Sequence, residues 1–180
     1  MTLPNGIYII TGIMASGKST IGQMVAEQFE KGVHLHGDLF RKMIVKGKID
    51  MTPDYSKAAL EQLRLRYHMT AQVADQYFKA GFSVVVQDNY LGKEVHSFLQ
   101  AFESRPLYFI TLNPNVHTII EREKNRQKNG YITWEVDQLH EVLINENPRI
   151  GLWIDSSELT PEETLNEIKM RAEAEACIKI

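Results

Sequence analysis

Residues 8 to 24 read YIITGIMASGKSTIGQM. Within them Gly12-Ile13-Met14-Ala15-Ser16-Gly17-Lys18-Ser19 has the spacing G-x-x-x-x-G-K-[ST], that of a loop that wraps phosphate. Such a loop turns its backbone N–H groups inward, which demands dihedrals that glycine adopts without a Cβ penalty. The helix that follows aims its own unpaired N–H groups, and the positive end of its dipole, at the same anion. Only four positions are constrained, so the flanks must decide. Before the loop, "IYII" (7–10) is a short apolar, β-branched run; after it, Ile21, Met24, Val25 and Phe29 recur at helical spacing. Strand, glycine-rich turn and helix together are the context of a P-loop. In this reading the backbone of Gly12, Ala15, Ser16 and Gly17 cradles the phosphates of ATP. Lys18 reaches the β- and γ-phosphates, the Ser19 hydroxyl ligates Mg²⁺, and Thr20 faces the α-phosphate side.

Four further apolar runs follow: "VHLHG" (33–37), "SVVVQ" (83–87), "LYFITL" (107–112) and "GLWID" (151–155). None alternates cleanly, which suits strands covered on both faces. Helical patterns lie between them. Leu60, Leu63, Tyr67, Ala71, Ala74 and Phe78 step by three or four, and Val95, Phe98, Leu99 and Phe102 mark a shorter helix. Asn113 is expected to cap a helix with Pro114 at its first position, carrying Val116, Ile119 and Ile120. Thr160-Pro161-Glu162-Glu163 reads as a capping box opening a last helix, with Leu165, Ile168 and Ala172 inward and Cys177 near its end. The expected fold class is α/β, a three-layer α/β/α arrangement of a five-stranded parallel sheet with right-handed crossovers. At 180 residues the chain reads as a single domain, 1–180.

Open parallel sheets bind ligands beyond the carboxyl ends of their strands. The residues there become candidates: Asp38 and Arg41, Asp88, Asn113, and Ser156–Ser157. Asp88 is placed to hold Mg²⁺, through water, beside the P-loop lysine. Asp38 is placed to orient or deprotonate an acceptor hydroxyl, and Arg41 to clamp the acceptor or a phosphate. Gly37 would admit the acceptor close to the backbone. His34 and His36 alternate on one strand and read as packed or hydrogen-bonded side chains. In "EREKNRQKNGY" (121–131), Arg122 and Arg126 lie four apart on one helical face. They are expected to neutralise the transferring phosphoryl group from a lid around 122–137, with Gly130 as its hinge.

Composition narrows the function class. A net charge of −3 and a pI near 6.1 leave no electrostatic footprint for nucleic acid. No apolar run approaches membrane-spanning length, and "MTLPNG" lacks a secretory start, so a cytoplasmic location and no membrane partner are expected. No His/Cys group has zinc spacing, and no N-K-x-D guanine motif is present. The expected partner is a small-molecule hydroxyl substrate, with the protein a monomer or homodimer. A nucleoside or nucleotide kinase, or a non-catalytic ATP-binding regulator, is the alternative.

Taken together, "GIMASGKST", "HGDLFRKM", "VVVQDNY", "EREKNRQ" and "IDSSELTPEET" resemble the small P-loop kinases. These include the nucleoside monophosphate, shikimate and gluconate kinases and, more closely, the chloramphenicol phosphotransferase-like group. The resemblance implies a strand order of 2-3-1-4-5 and a basic lid, with adenine between the lid side and the loop after the fifth strand. It also implies an acceptor-binding helical region around 38–80, an antibiotic-like acceptor, and an Asp after the second strand that serves the acceptor hydroxyl. Asp38 is the residue that matches. The family's arginine-rich nucleoside monophosphate site has only Arg64 and Arg66 as loose counterparts.

Overall fold

The computed structural model describes residues 2–125, 131 and 134–179. Its sheet is built from β1 (Ile7–Thr11), β2 (Gly32–His36), β3 (Ser83–Gln87), β4 (Leu107–Leu112) and β5 (Leu152–Ile154). These run parallel in the order β2-β3-β1-β4-β5, as expected. One strand is added. β6 (Cys177–Ile178) pairs antiparallel with Leu107 and Tyr108 of β4, below the stretch Ile110–Leu112 that β5 occupies. Cys177 is therefore an exposed strand residue and not part of the last helix. The helix ends earlier, in a π-turn over Ala172–Ala176 that redirects the chain along the sheet.

Every residue of β1, β3 and β4 is buried, which accounts for their unbroken apolar character. On one face Tyr8, Ile10, Val85, Ile110 and Leu112 meet α1 (Lys18–Ala26) and α7 (Pro161–Arg171). On the other, Ile7, Ile9, Val84, Val86 and Phe109 meet α3 (Lys57–Lys79) and α4 (Glu94–Gln100). A smaller cluster of Ile13, Ile119, Leu139 and Leu143 joins the P-loop to α5 (Val116–Lys124) and α6 (Val136–Asn145). A five-residue helix, α2 (Asp38–Lys42), follows β2 directly.

Local signals set most boundaries. The Thr160 capping box forms, with Pro161 in the first turn of α7. The cap of α5 is Asn115 and not Asn113: the Asn115 side chain accepts from Thr118 N at 2.8 Å. Pro114 sits ahead of the cap, so the helix opens two residues later than the Asn-Pro pair suggests. Ser56 caps α3 in the same manner, accepting from Ala59 N.

The exit of β3 is fixed by aromatic packing and one carbonyl. Tyr90 stacks on Phe98 at 4.1 Å, and Tyr67 and Phe102 approach the same ring at 4.8 and 5.0 Å. The Tyr90 carbonyl accepts from Thr11 Oγ1 at 2.8 Å and Asn147 Nδ2 at 3.1 Å, tying the end of β1 to the loops after β3 and α6. Phe98 is 1% exposed at the centre of this group. Phe98→Ala should therefore cost about 3–5 kcal/mol of stability, read from urea unfolding. A loss below 1 kcal/mol would show that the ring is dispensable to the core.

Candidate active site

The P-loop takes the shape its sequence demands. Ala15 (φ 64°) and Gly17 (φ 98°) occupy the left-handed region, and the alanine does so against its intrinsic preference. A Cβ on Gly12 would fall 2.5 Å from both the Leu112 carbonyl and Ser16 Oγ, so only glycine fits beneath the turn. Gly17 is the N-cap of α1 and offers no side-chain acceptor to the first turn. That leaves the orphan donors common to helix starts available to an anion. Ser19 and Thr20 are exposed there, while Lys18 is buried and donates from Nζ to the Ile13 carbonyl at 2.8 Å. This cradle fits a polyphosphate, and the exposed Ser19 hydroxyl stands at the same helix start.

A cavity of about 1920 Å³ opens over the loop, with Lys18, Asp38, Arg41, Asp88 and Arg122 in its walls. Asp88 lies near Lys18, Arg66 and Asp38 and feels the charge of each. Burial pushes its carboxyl up, against the Asn89 N–H (2.8 Å) and the neighbouring cations that pull it down. Asp38 goes the other way. Burial raises it, but hydrogen bonds from Lys42 and Arg41 outweigh that and leave it below the usual carboxylate range. Its partners are Arg41 Nε at 2.6 Å and Lys42 Nζ at 2.7 Å. The two carboxylates thus lie together but in opposite electrostatic settings.

Several details differ from expectation. Gly37 does not open space for an acceptor, because a Cβ there would meet Asp88 Oδ2 at 2.5 Å. The glycine instead lets the start of α2 close on the end of β3, where Gly37 N donates to the Gln87 carbonyl at 2.9 Å. This is why Asp38, on an edge strand's exit, comes beside Asp88. Arg41 holds Asp38 and, through Nη1, Asp50 at 2.8 Å. It braces the carboxylate, which leaves an acceptor only the N–H groups not turned toward Asp38 and Asp50. Arg122 reaches from α5 to the Ser156 carbonyl at 2.8 Å and the Ser16 carbonyl at 3.5 Å, bridging the P-loop and the loop after β5. Arg126 and Gly130 lie outside the described residues.

The side chains of Tyr131 and Trp134 were not evident from sequence. Tyr131 OH donates to the Met14 carbonyl at 2.7 Å, and Trp134 Nε1 to the Met51 carbonyl at 3.0 Å. They tie the segment ahead of α6 to the P-loop and to the loop ahead of α3. Aromatic residues after a basic, glycine-containing stretch were the available signal.

A profile of an AAA domain family (AAA_33) matches residues 7–142, most of the chain. The chain belongs to this AAA domain family. A UPF0200 protein of Aeropyrum pernix is 26% identical over 145 residues, covering 79% of this chain and 76% of that protein. Among solved structures, a sugar kinase from Janibacter superposes with a TM-score of 0.69 at 19% identity, covering 93% of this chain and 94% of the other. A gluconokinase from Sinorhizobium meliloti gives 0.61 at 20% identity, with 94% of each covered. At such identities the likeness shows the fold, and the fold is that of small P-loop kinases. No helix among the described residues is long and apolar enough to cross a membrane.

His34 is half-buried, while His36 is exposed and lies 2.7 Å from Gln87 Nε2 through its Nδ1, so both are hydrogen-bonded side chains. His34 lies 4.2 Å from His36 ring to ring, with Nδ1 3.1 Å from Gln23 Oε1 and Nε2 against Gly22 of α1. Burial, and then His36, pulls the His34 pKa down from 6.5 to about 4. A histidine kept neutral by folding adds stability that is complete above about pH 6.5 and lost as pH falls toward 4. His34→Gln removes this titration. Its urea midpoint should drop less than that of the wild type between pH 6.5 and 4; equal drops would remove His34 from the acid response.

Proposed function

We propose that the protein transfers the γ-phosphate of ATP to a hydroxyl of a small molecule. The observation that supports this reading most is the placement of a second, ion-paired carboxylate, Asp38, in the wall that faces the P-loop cradle. A nucleotide-binding switch needs the cradle and a metal carboxylate but has no use for that neighbour. The names of the sugar kinase and gluconokinase that share the fold point the same way. An antibiotic-like alcohol would fall within the same reaction class.

In this reaction the α1 N-terminus and Lys18 bind and orient the phosphates, and Ser19 and Asp88 are the residues that would hold Mg²⁺. When bound there, the metal would supply charge neutralisation to the phosphates. Asp38, kept ionised by Arg41 and Lys42, accepts a hydrogen bond from the acceptor hydroxyl and then its proton. As that oxygen bonds to the γ-phosphorus, the bond to the β-phosphate oxygen breaks and ADP leaves. A weak base suffices, because phosphoryl transfer depends mainly on positioning and charge. Arg122 and Arg126 serve the nucleotide side, Arg122 from its bridge between the P-loop and Ser156.

ADP release above basal hydrolysis, measured across pooled hydroxyl compounds, tests the reading. Transfer to none of them, with ATP bound, would leave a non-catalytic binder. Lys18→Ala should abolish transfer while the fold persists by circular dichroism; unchanged turnover would remove the lysine from the phosphate site. Asp38→Asn should lower transfer by roughly 10²-fold or more, the usual range for lost acid–base help, with ATP affinity nearly unchanged. The opposite pattern, ATP affinity lost and transfer kept, would assign Asp38 to the nucleotide or metal.

A further inference from the structure

His36 closes β2, and its exposed ring stands in the wall of the cavity that also holds Ser19, Thr20, Asp38 and Gln87. One of its nitrogens is already engaged. Gln87 is buried and level with His36 on the neighbouring strand, and its Nε2 lies 2.7 Å from His36 Nδ1. An amide nitrogen only donates, so Nδ1 accepts and the proton of the neutral ring stands on Nε2. The imidazole is thus held as a donor, with its one N–H on the side of the ring away from that amide. Such a group suits an anionic oxygen. It does not suit a metal ion, which would need a lone pair on the same nitrogen.

Strand and helix geometry indicate which oxygen. His34 lies on the same face of β2, ring to ring with His36 at 4.2 Å, and its own nitrogens meet Gly22 and Gln23 in the second turn of α1. Two residues along a strand advance about 7 Å, and one helical turn about 5.4 Å. Because α1 runs back from the carboxyl ends of the parallel strands, the step from His34 to His36 matches the step from Gly22 to the first turn, that of Lys18 and Ser19. His36 therefore flanks the uncapped N–H groups, and two residues further on stands Asp38. We propose that His36 donates from Nε2 to an oxygen of the terminal phosphate of ATP, where that group lies between the cradle and Asp38. The proposal rests on the phosphotransfer reading for the claim that this phosphate is transferred, and on the bond from Gln87 for the donor. A neutral donor stabilises phosphoryl oxygens without setting another cation beside Asp38, which Arg41 and Lys42 already pair.

The first test needs no turnover. ADP and a non-hydrolysable ATP analogue, each with Mg²⁺, are titrated by calorimetry into the wild type, His36→Ala and His36→Gln. His36→Ala should bind the ATP analogue about ten-fold more weakly, the range for one hydrogen bond to a charged group, and bind ADP as the wild type does. His36→Gln keeps an amide donor and should fall between them. An undiminished affinity for the analogue would overturn the proposal. So would equal losses for both nucleotides, which would mean that the variant disturbs the cradle; His36→Gln is the folded check. Nitrogen-15 spectra at about pH 8.5, where an ordinary imidazole is neutral, should show the His36 proton on Nε2. A proton on Nδ1 would overturn the proposal. Gln87→Met should let the proton populate Nδ1, and an unchanged spectrum would overturn the part given to Gln87.

Turnover gives the second arm. With any alcohol that the pooled assay finds, His36→Ala should lower kcat about ten-fold or more and leave KM for the alcohol unchanged. A raised KM for the alcohol, with kcat kept, would place His36 on the acceptor and overturn the proposal. If His36 tells the ATP analogue from ADP yet no alcohol is phosphorylated in any pool, the phosphotransfer reading fails while the phosphate contact stands.

Discussion

The first turn of α1 carries N–H groups that no side chain caps, because residue 17 is a glycine held at positive φ. A helix start left in that condition inside a cavity attracts negative charge. The rest of the architecture is arranged around that one electrostatic fact. β1 lies mid-sheet and delivers the loop, β3 beside it delivers Asp88, and β4 on the other side leads to the helix that carries Arg122. The close approach at Gly12, beneath the turn, holds the loop against the end of β4.

Two carboxylates then share the cavity with opposite tendencies. Asp88 is raised by burial, whereas Asp38 is held down by two cations donated from its own short helix. Environments that push paired carboxylates apart suit them to different tasks. Under the phosphotransfer reading this division separates acceptor from donor without any large distance between them. The juxtaposition depends on Gly37, whose missing Cβ lets α2 and the end of β3 touch.

Much of this was legible in the sequence, for identifiable reasons. The strands were visible because β1, β3 and β4 are buried on both faces and so lack polar interruptions. The P-loop and the Thr160 capping box were visible because their residue types act locally on neighbouring N–H groups. Features set by distant contacts were hidden. Nothing around Cys177 announces a two-residue strand, since its partner Tyr108 lies far away in the chain. Asn113 and Asn115 are equally good caps by type, and the observed cap is the one whose side chain reaches an N–H three residues on. Arg41 looked available to a ligand because Asp50, which claims it, follows an irregular stretch with no periodic signal.

The ties made by Tyr131 and Trp134 end on main-chain carbonyls, those of Met14 and Met51. Every residue type has a carbonyl, so neither tie depends on the side chain at its receiving end. The loop ahead of α3, which lines the cavity, can therefore exchange side chains while remaining docked to the same indole. Docking and wall chemistry are inherited separately in such an arrangement: one is written in the backbone, the other in whatever side chains that loop happens to display.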